Sequence, residues 1–178
     1  MFQEIRTKRL LLRCLLPGDA DSLFEYRSHP EVCLFQSWEP ESLQEVRLFI
    51  NKMAKVELNK TGWHQIGIAL QTDGSLIGDC GIHILETDSR LAEIGITIAP
   101  AQQSRGYATE ALNAILNLLF RGLGKHRVFA SVDPRNLPSM ALMERVGLRK
   151  EAHFVQSLWF KDGWADDVVF ALLASEWH

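Results

Sequence analysis

The sequence predicts an α/β domain of the α+β kind, a mostly antiparallel central sheet of about seven strands flanked by about four helices. Three observations carry this. Residues 63–70 and 76–85 are strand-like apolar runs on either side of Thr72-Asp73-Gly74-Ser75, a tight-hairpin signal. Residues 91–99 alternate strictly, with Ala92, Ile94, Ile96 and Ile98 on one face and Glu93, Gly95 and Thr97 on the other. Residues 104–121 then set Ala108, Ala111, Leu112, Ile115, Leu116, Leu119 and Phe120 at helical spacing, the buried stripe of a long helix.

The remaining elements follow in chain order. Residues 7–16 start with alternating and continue with unbroken apolar side chains, and read as a strand. Pro17-Gly18-Asp19 interrupts it, and Asp19 is placed to cap a short helix that runs through Arg27. A second helix begins near Glu41: Ser42-Leu43-Gln44-Glu45 has capping-box form, and Val46, Phe49, Ile50 and Met53 supply its apolar stripe. Beyond the long helix, residues 128–133 read as a strand. Residues 136–146 read as a helix, with Pro138 tolerated in its first turn and Gly147 placed to end it. The tail is two strands around Lys161-Asp162-Gly163, a second hairpin signal. No repeat, low-complexity stretch or long linker intervenes, so residues 1–178 read as one domain.

Composition narrows the function. Apolar residues make up 47% and charged residues 23%, the balance of a soluble globular protein with a sizeable core. No apolar run approaches the ~20 residues that span a bilayer, and Met1-Phe2-Gln3-Glu4-Ile5-Arg6 has no signal-peptide character, so a cytoplasmic location is expected. Cys14, Cys33 and Cys80 are odd in number and widely spaced, which suits buried small side chains rather than a disulfide framework or a zinc knuckle. The six histidines lack ligand spacing, and no metal is expected. The net charge of -3 with scattered basic residues argues against a nucleic-acid face and suits a cationic acceptor.

The most informative stretch runs from Glu93 through Pro100-Ala101-Gln102-Gln103-Ser104-Arg105-Gly106-Tyr107-Ala108-Thr109 to Ala111. Here a strand turns into a helix whose first residues are small or glycine. Unpaired N–H groups at such a start, with the helix dipole, form an anion site suited to a pyrophosphate. Gly106 and Ala108 let phosphates approach the backbone, and Arg105 adds a cation.

Gln103-Ser104-Arg105-Gly106-Tyr107-Ala108 resembles the Q/R-x-x-G-x-G/A acetyl-CoA motif of the GNAT superfamily of N-acetyltransferases. Asp133-Pro134-Arg135-Asn136-Leu137-Pro138-Ser139, continuing to Glu144-Arg145-Val146-Gly147-Leu148, is similar to the N-x-x-S…E-x-x-G-F signature of the same superfamily. The opening Thr7-Lys8-Arg9-Leu10-Leu11-Leu12-Arg13 and the closing Glu176-Trp177 resemble its RimJ/RimL-like branch, whose founding members acetylate ribosomal-protein N-termini. The resemblance covers nearly the whole chain in the family's order.

It implies a GNAT-like fold, acetyl-CoA as cosubstrate and an amine as acceptor. Backbone groups of Ile96 and Ile98 would pair with the pantetheine arm as a neighbouring strand does, and one of their N–H groups would stabilise the oxyanion, worth roughly 3 kcal/mol of barrier. Following the motif that Gln103 opens, the amides of Ser104, Arg105, Gly106, Tyr107, Ala108 and Thr109 would hold the pyrophosphate. Asn136 corresponds to an asparagine that contacts pantetheine, and a plain helix N-cap is the competing role. Much of the superfamily protonates the departing thiolate from a tyrosine at the position of Met143; Ser139, one turn earlier, is the substitute implied, against a purely structural role in the first turn. Glu93 is the candidate general base, with Asp79 and His83 on one face of the preceding strand as rivals. The resemblance also allows a homodimer. Trp38, and the cluster Trp159, Phe160 and Trp164, are candidate walls of the acceptor cleft or packing residues.

No Gly-x-Ser-x-Gly elbow or Cys–His setting is present, so direct transfer in a ternary complex is expected. The leading acceptor is a peptide N-terminus or peptide-like amine. A small-molecule acceptor (aminoglycoside, polyamine or amino-acid derivative) competes with it, and a non-catalytic acyl-CoA-binding module is the alternative from another class.

Overall fold

The computed structural model describes residues 2–178. An eight-stranded sheet is ordered β1-β2-β3-β4-β5-β6-β8-β7, from Ile5–Arg6 (β1), Leu10–Cys14 (β2), Gly62–Leu70 (β3), Leu76–Ile84 (β4), Leu91–Ile98 (β5), Arg127–Val132 (β6), Arg149–Phe160 (β7) and Gly163–Leu173 (β8). Every neighbouring pair is antiparallel except β5 and β6. The helices are Ala20–Arg27 (α1), Pro30–Cys33 (α2), Leu43–Met53 (α3), Tyr107–Asn117 (α4) and Leu137–Arg145 (α5).

Both hairpin signals produce hairpins for local reasons. At Gly74 (φ 75°) the chain turns left-handed, and Asp73 accepts the Ser75 N–H at 2.9 Å. Lys161 and Asp162 both have positive φ, the backbone of a type I′ turn whose twist matches the flanking strands. Three boundaries differ from the sequence reading. The strand read over 7–16 is shorter, Leu10–Cys14, because Thr7 N–H bonds the Leu10 carbonyl at 2.9 Å and turns the chain; the preceding Ile5–Arg6 folds back on it as β1 and adds the eighth strand. The long helix starts at Tyr107 rather than Ser104, and its last turn, Leu118–Gly122, widens to π geometry with Leu123 N–H bonding Leu118 at 2.9 Å. The short α2 has too few residues to show a periodic stripe.

The sheet carries a core on each face. Ile66, Ile82, Ile94, Val128 and Phe170 pack against Ala111, Leu112, Ile115 and Leu116 of α4 and against Leu142 and Met143 of α5. On the other face Leu23 and Tyr26 of α1 meet Val46 and Ile50 of α3. The apolar half of each strand's alternation therefore faces α4, which leaves the Glu93 half on the side of α1–α3. Asp19 takes a different role from the helix cap expected: its carboxylate accepts the Leu16 N–H at 2.7 Å and pairs with Arg13. Half of the capping box expected at α3 forms: Ser42 accepts from Glu45 N–H, while the Glu45 carboxylate accepts from Glu41 N–H and Trp38 Nε1 instead of from Ser42 N–H. Cys14, Cys33 and Cys80 are free thiols, and burial pushes Cys80 well above its ordinary pKa, as suits a core residue. Among the described residues no helix is long and apolar enough to cross a membrane, and no cluster of His, Cys, Asp or Glu could hold a metal ion.

Candidate active site

β5 and β6 are paired only at Leu91–Arg127, Ala92–Val128 and Glu93–Phe129. Beyond Glu93, β5 stays with β4 as far as Ile98 while β6 stays with β8 as far as Val132, so the sheet opens into a wedge. The edge of β5 facing that wedge has a defined polarity. Leu91 and Ala99 bond toward β4, through Leu85 N–H to Leu91 O at 3.2 Å and Ala99 N–H to Ile77 O at 2.8 Å. Main-chain groups alternate sides along a strand, so Ile96 and Ile98 aim theirs into the wedge. A buried strand edge needs partners for those groups.

At the mouth of the wedge stands the start of α4. Ser104 (φ 60°) and Gly106 (φ 79°) are left-handed, and Gly106 occupies the N-cap position without a side chain to offer. The amides of Tyr107, Ala108 and Thr109 therefore precede the first intrahelical bond, from Glu110 N–H to Gly106 O at 3.1 Å. The Gln103 amide donates to the Ile98 carbonyl at 3.0 Å, which ties the turn to the end of β5. Arg105 is exposed.

The Thr7-Lys8-Arg9 segment holds this turn in place. Glu110 accepts from Thr7 Oγ1 at 2.6 Å, from Arg9 N–H at 2.7 Å and from Arg9 Nε at 2.6 Å. Arg9 also donates to the Arg105 carbonyl at 2.8 Å and lies 4.4 Å over the Tyr107 ring. Burial alone would raise the Glu110 carboxyl; the Thr7 and Arg9 hydrogen bonds override it and hold the group below the ordinary value. The roles of Arg9 and Glu110 escape sequence reading because they lie a hundred residues apart, although the opening motif marked one partner. A Cβ at Gly106 would sit 3.4 Å from Arg9 Nη2, at a φ that L-residues adopt at a cost of about 1–2 kcal/mol. Gly106→Ala is expected to reshape the turn and weaken CoA binding roughly tenfold, measured by isothermal titration calorimetry.

The second helix start borders the wedge from β6. Asn136 caps α5, its side chain accepting the Ser139 N–H at 3.2 Å. Ser139 is half-buried, and among the described residues its hydroxyl has no protein hydrogen-bond partner. Met143 is 2% exposed and belongs to the core, and its thioether has no proton to donate.

The cleft face of the sheet gathers the titratable groups. Register sets Trp63, His83 and Glu93 side by side across β3, β4 and β5, with Phe129 next on β6. His83 Nδ1 lies 3.7 Å from Glu93 Oε2 and His83 Nε2 lies 3.3 Å from Glu86 Oε2. The imidazole stacks on Trp63 at 4.7 Å and 9°. Burial pushes the Glu93 carboxyl above its ordinary value; His83 opposes this and Asp167 adds to it. Asp167 itself accepts from Ser131 Oγ at 2.6 Å. A Cβ at Gly95 would meet no atom within 4 Å, which leaves the floor open between Glu93 and Thr97.

Asp79, the other rival base, is committed elsewhere. It is fully buried and accepts from Tyr26 Oη at 2.6 Å, from Arg27 Nε at 3.1 Å and from Arg27 Nη2 and Gln65 Nε2. Burial raises the Tyr26 phenol well above its ordinary pKa, and Asp79 adds to it; burial works against the Arg27 charge, and Asp79 more than restores it. These bonds fasten α1 to the sheet beneath the cleft.

A groove of about 420 Å³ opens between α2, the β6–α5 turn and the last hairpin, lined by Leu34, Asp133, Arg135, Lys161, Trp164 and Asp166. Lys161 Nζ ties the hairpin to α2 through the Cys33 carbonyl at 2.7 Å and Glu39 at 3.1 Å. Of the aromatic candidates, Trp38 packs on Phe49 at 4.2 Å and donates to Glu45. Trp159 and Trp164 meet edge to face at 5.4 Å and remain exposed.

The acetyltransferase (GNAT) domain model matches residues 9–149. The chain belongs to the GNAT acetyltransferase family. This acetyltransferase is 30% identical to the uncharacterized N-acetyltransferase YnaD of Bacillus subtilis, over 98% of this chain and 99% of that protein. The [ribosomal protein uS5]-alanine N-acetyltransferase of Escherichia coli is 27% identical over 98% of this chain and 92% of its own. A GNAT-family acetyltransferase from Bacillus anthracis superposes with a TM-score of 0.87 at 28% identity, covering 98% of this chain and all of that one. A Vibrio cholerae spermidine N-acetyltransferase solved with CoA and spermine superposes with a TM-score of 0.79 at 25% identity, over 94% and 97%. The RimJ/RimL-like resemblance is thus matched by a ribosomal-protein relative, and the GNAT acetyltransferase fold by solved neighbours.

Proposed function

We propose that this acetyltransferase moves the acetyl group of acetyl-CoA to a primary amine by direct attack in a ternary complex. The observation that carries the reading is the wedge. A strand edge with free amides, a helix start with uncapped N–H groups and a carboxylate-bearing face meet along one opening. Acetyl-CoA fits the first two: its pyrophosphate suits the amides after Gly106, and its pantetheine suits the outward groups of Ile96 and the N–H of Ile98, whose carbonyl Gln103 holds. Bound there, it supplies the activated thioester carbonyl. Asn136 serves as cap of α5 and borders the pantetheine path.

The chain's own groups then meet three needs. An acceptor amine with an unperturbed pKa of about 8 (an α-amine) to about 10 (lysine-like) must lose a proton, and Glu93 takes it. The N–H of Ile96 or Ile98 donates to the oxygen that gains charge, and Ser139 relays to the departing sulfur the second proton that the attacking nitrogen loses, so its hydroxyl is restored in the same step. A thiol of pKa about 8.5 is already a good leaving group. Ser139→Ala is therefore expected to lower kcat only about 10–100-fold with CoA affinity retained, checked by stopped-assay kinetics and calorimetry.

The proposed acceptor is a peptide N-terminus or peptide-like amine, in keeping with the ribosomal-protein relative. One observation favours a polyamine instead: Glu86, Glu93 and Asp167 converge on the cleft face, as a polycation would require, and a structural neighbour is named for spermidine. Thiol release from acetyl-CoA, measured with serine- and alanine-initiated peptides, spermidine, spermine and an aminoglycoside, decides between them. Release with peptides alone supports the proposal, and release with polyamines alone replaces it. Tight CoA binding with no acceptor-dependent release would support a non-catalytic binding module.

A further inference from the structure

At neutral pH an ammonium and a thioester become an amide and a thiol, so each turnover sends one proton to solvent. Glu93 is poorly placed to discharge it alone. It faces the cleft that both substrates fill during turnover, and Asp167 crowds it from β8. On its other side stands His83, whose two nitrogens face two carboxylates: Nδ1 toward Glu93 at 3.7 Å and Nε2 toward Glu86 at 3.3 Å. The His83 side chain is 21% exposed and that of Glu86 is 66% exposed, so the row runs from cleft to bulk water. Trp63 fixes the ring plane by stacking, which keeps both nitrogens aimed along the row.

We propose that His83 and Glu86 form the outlet through which the proton taken up by Glu93 reaches solvent. The inference rests on Glu93 as the base and extends that reading. The balance is simple. The acceptor's N–H bond breaks and an O–H bond forms on Glu93. That proton passes to His83 Nδ1, the proton on Nε2 passes to Glu86, and Glu86 releases it to water. Both gaps are longer than a hydrogen bond, so each transfer needs a small closing movement or one bridging water. The ring is then protonated on Nδ1; exchange with water, which gives a proton to Nε2 and takes the one on Nδ1, restores the starting tautomer in the same stacked plane. His83 acts through Glu93 and is a positioning residue for the reaction. The ionisable groups around the pair are Glu86 in the β4–β5 connection and Asp167 on β8, with the Ser131 hydroxyl of β6 bonded to Asp167.

The test compares His83→Ala, His83→Gln, Glu86→Gln and Glu93→Gln, with whichever of spermidine or a serine-initiated peptide supports thiol release. His83→Ala should lower kcat about 10–100-fold with KM for acetyl-CoA unchanged, and added imidazole should restore part of the loss. Glu86→Gln should cost a few-fold, deepening as buffer concentration falls, since buffer replaces an exposed acceptor. His83→Gln keeps a planar side chain against Trp63, so it carries the test if the alanine variant does not fold. The outlet is overturned if Glu93→Gln is strongly impaired while both His83 variants stay within twofold of the parent. It is also overturned if His83→Gln restores full activity and imidazole does nothing, the mark of a stacking role. Full activity in Glu93→Gln would instead remove the base assignment, a distinct failure.

Discussion

Glu93→Gln is expected to lower kcat about 10²–10⁴-fold, the usual range for loss of a general base, while CoA affinity stays unchanged. The substitution keeps the shape of the side chain and its place on β5 beside Phe129, so the loss reports on proton transfer rather than on the wedge. The parent's pH profile should carry the complementary signature. Burial raises the Glu93 pKa above the ordinary glutamate value, with His83 opposing the rise. The active carboxylate therefore fills as pH rises through that raised value, and the acid limb lies above the pH at which an exposed glutamate would titrate. In Glu93→Gln this limb should vanish. A profile of kcat/KM for the two proteins from acid to neutral pH checks both statements; an unchanged limb would assign it to another group.

Asp79→Ala is expected to cost about 3–5 kcal/mol of stability, because it leaves the Arg27 guanidinium buried without its partner. A loss of that size is a large fraction of the total stability of about 5–15 kcal/mol typical of a domain. Tyr26 and Gln65 lose an acceptor in the same step, so three donors are stranded under α1. Urea denaturation should show the midpoint falling with the slope preserved. Pairing Asp79→Leu with Arg27→Met should recover much of the loss, since a packed apolar pair carries no stranded charge. If the single variant costs under 1 kcal/mol, the network is not what holds α1 to the sheet. The outcome bears on function as well, because α1 walls the cleft that Glu93 faces.

Much of the fold is legible in the sequence because its signals are local. The signals Asp73-Gly74 and Lys161-Asp162-Gly163 lie where Gly74, Lys161 and Asp162 take left-handed dihedrals that few residues adopt, and both hairpins form. The strict alternation of residues 91–99 places Ile94 in the core and Glu93 on the cleft face without reference to any partner strand. The stripe in α4 is buried as its spacing requires. The break at Thr7-Lys8-Arg9 was hidden, because a strand that reverses into its own neighbour keeps the same apolar pattern.

By itself, the sequence determined the order of elements, the faces they bury and the family motifs at Gly106 and Asn136. Periodicity, turn chemistry and capping act within a few residues, and motif spacing is carried by the chain. Only the tertiary structure decided what those residues meet. It showed that β5 and β6 part after Glu93, and it spent Asp79 on Arg27 and Tyr26 rather than on the cleft. It joined Arg9 to Glu110 across the motif turn and set His83 between Glu93 and Glu86 against Trp63. Each of these is a contact between strands or helices distant in sequence. Its partner is chosen by sheet register and packing, and neither leaves a mark on any one segment.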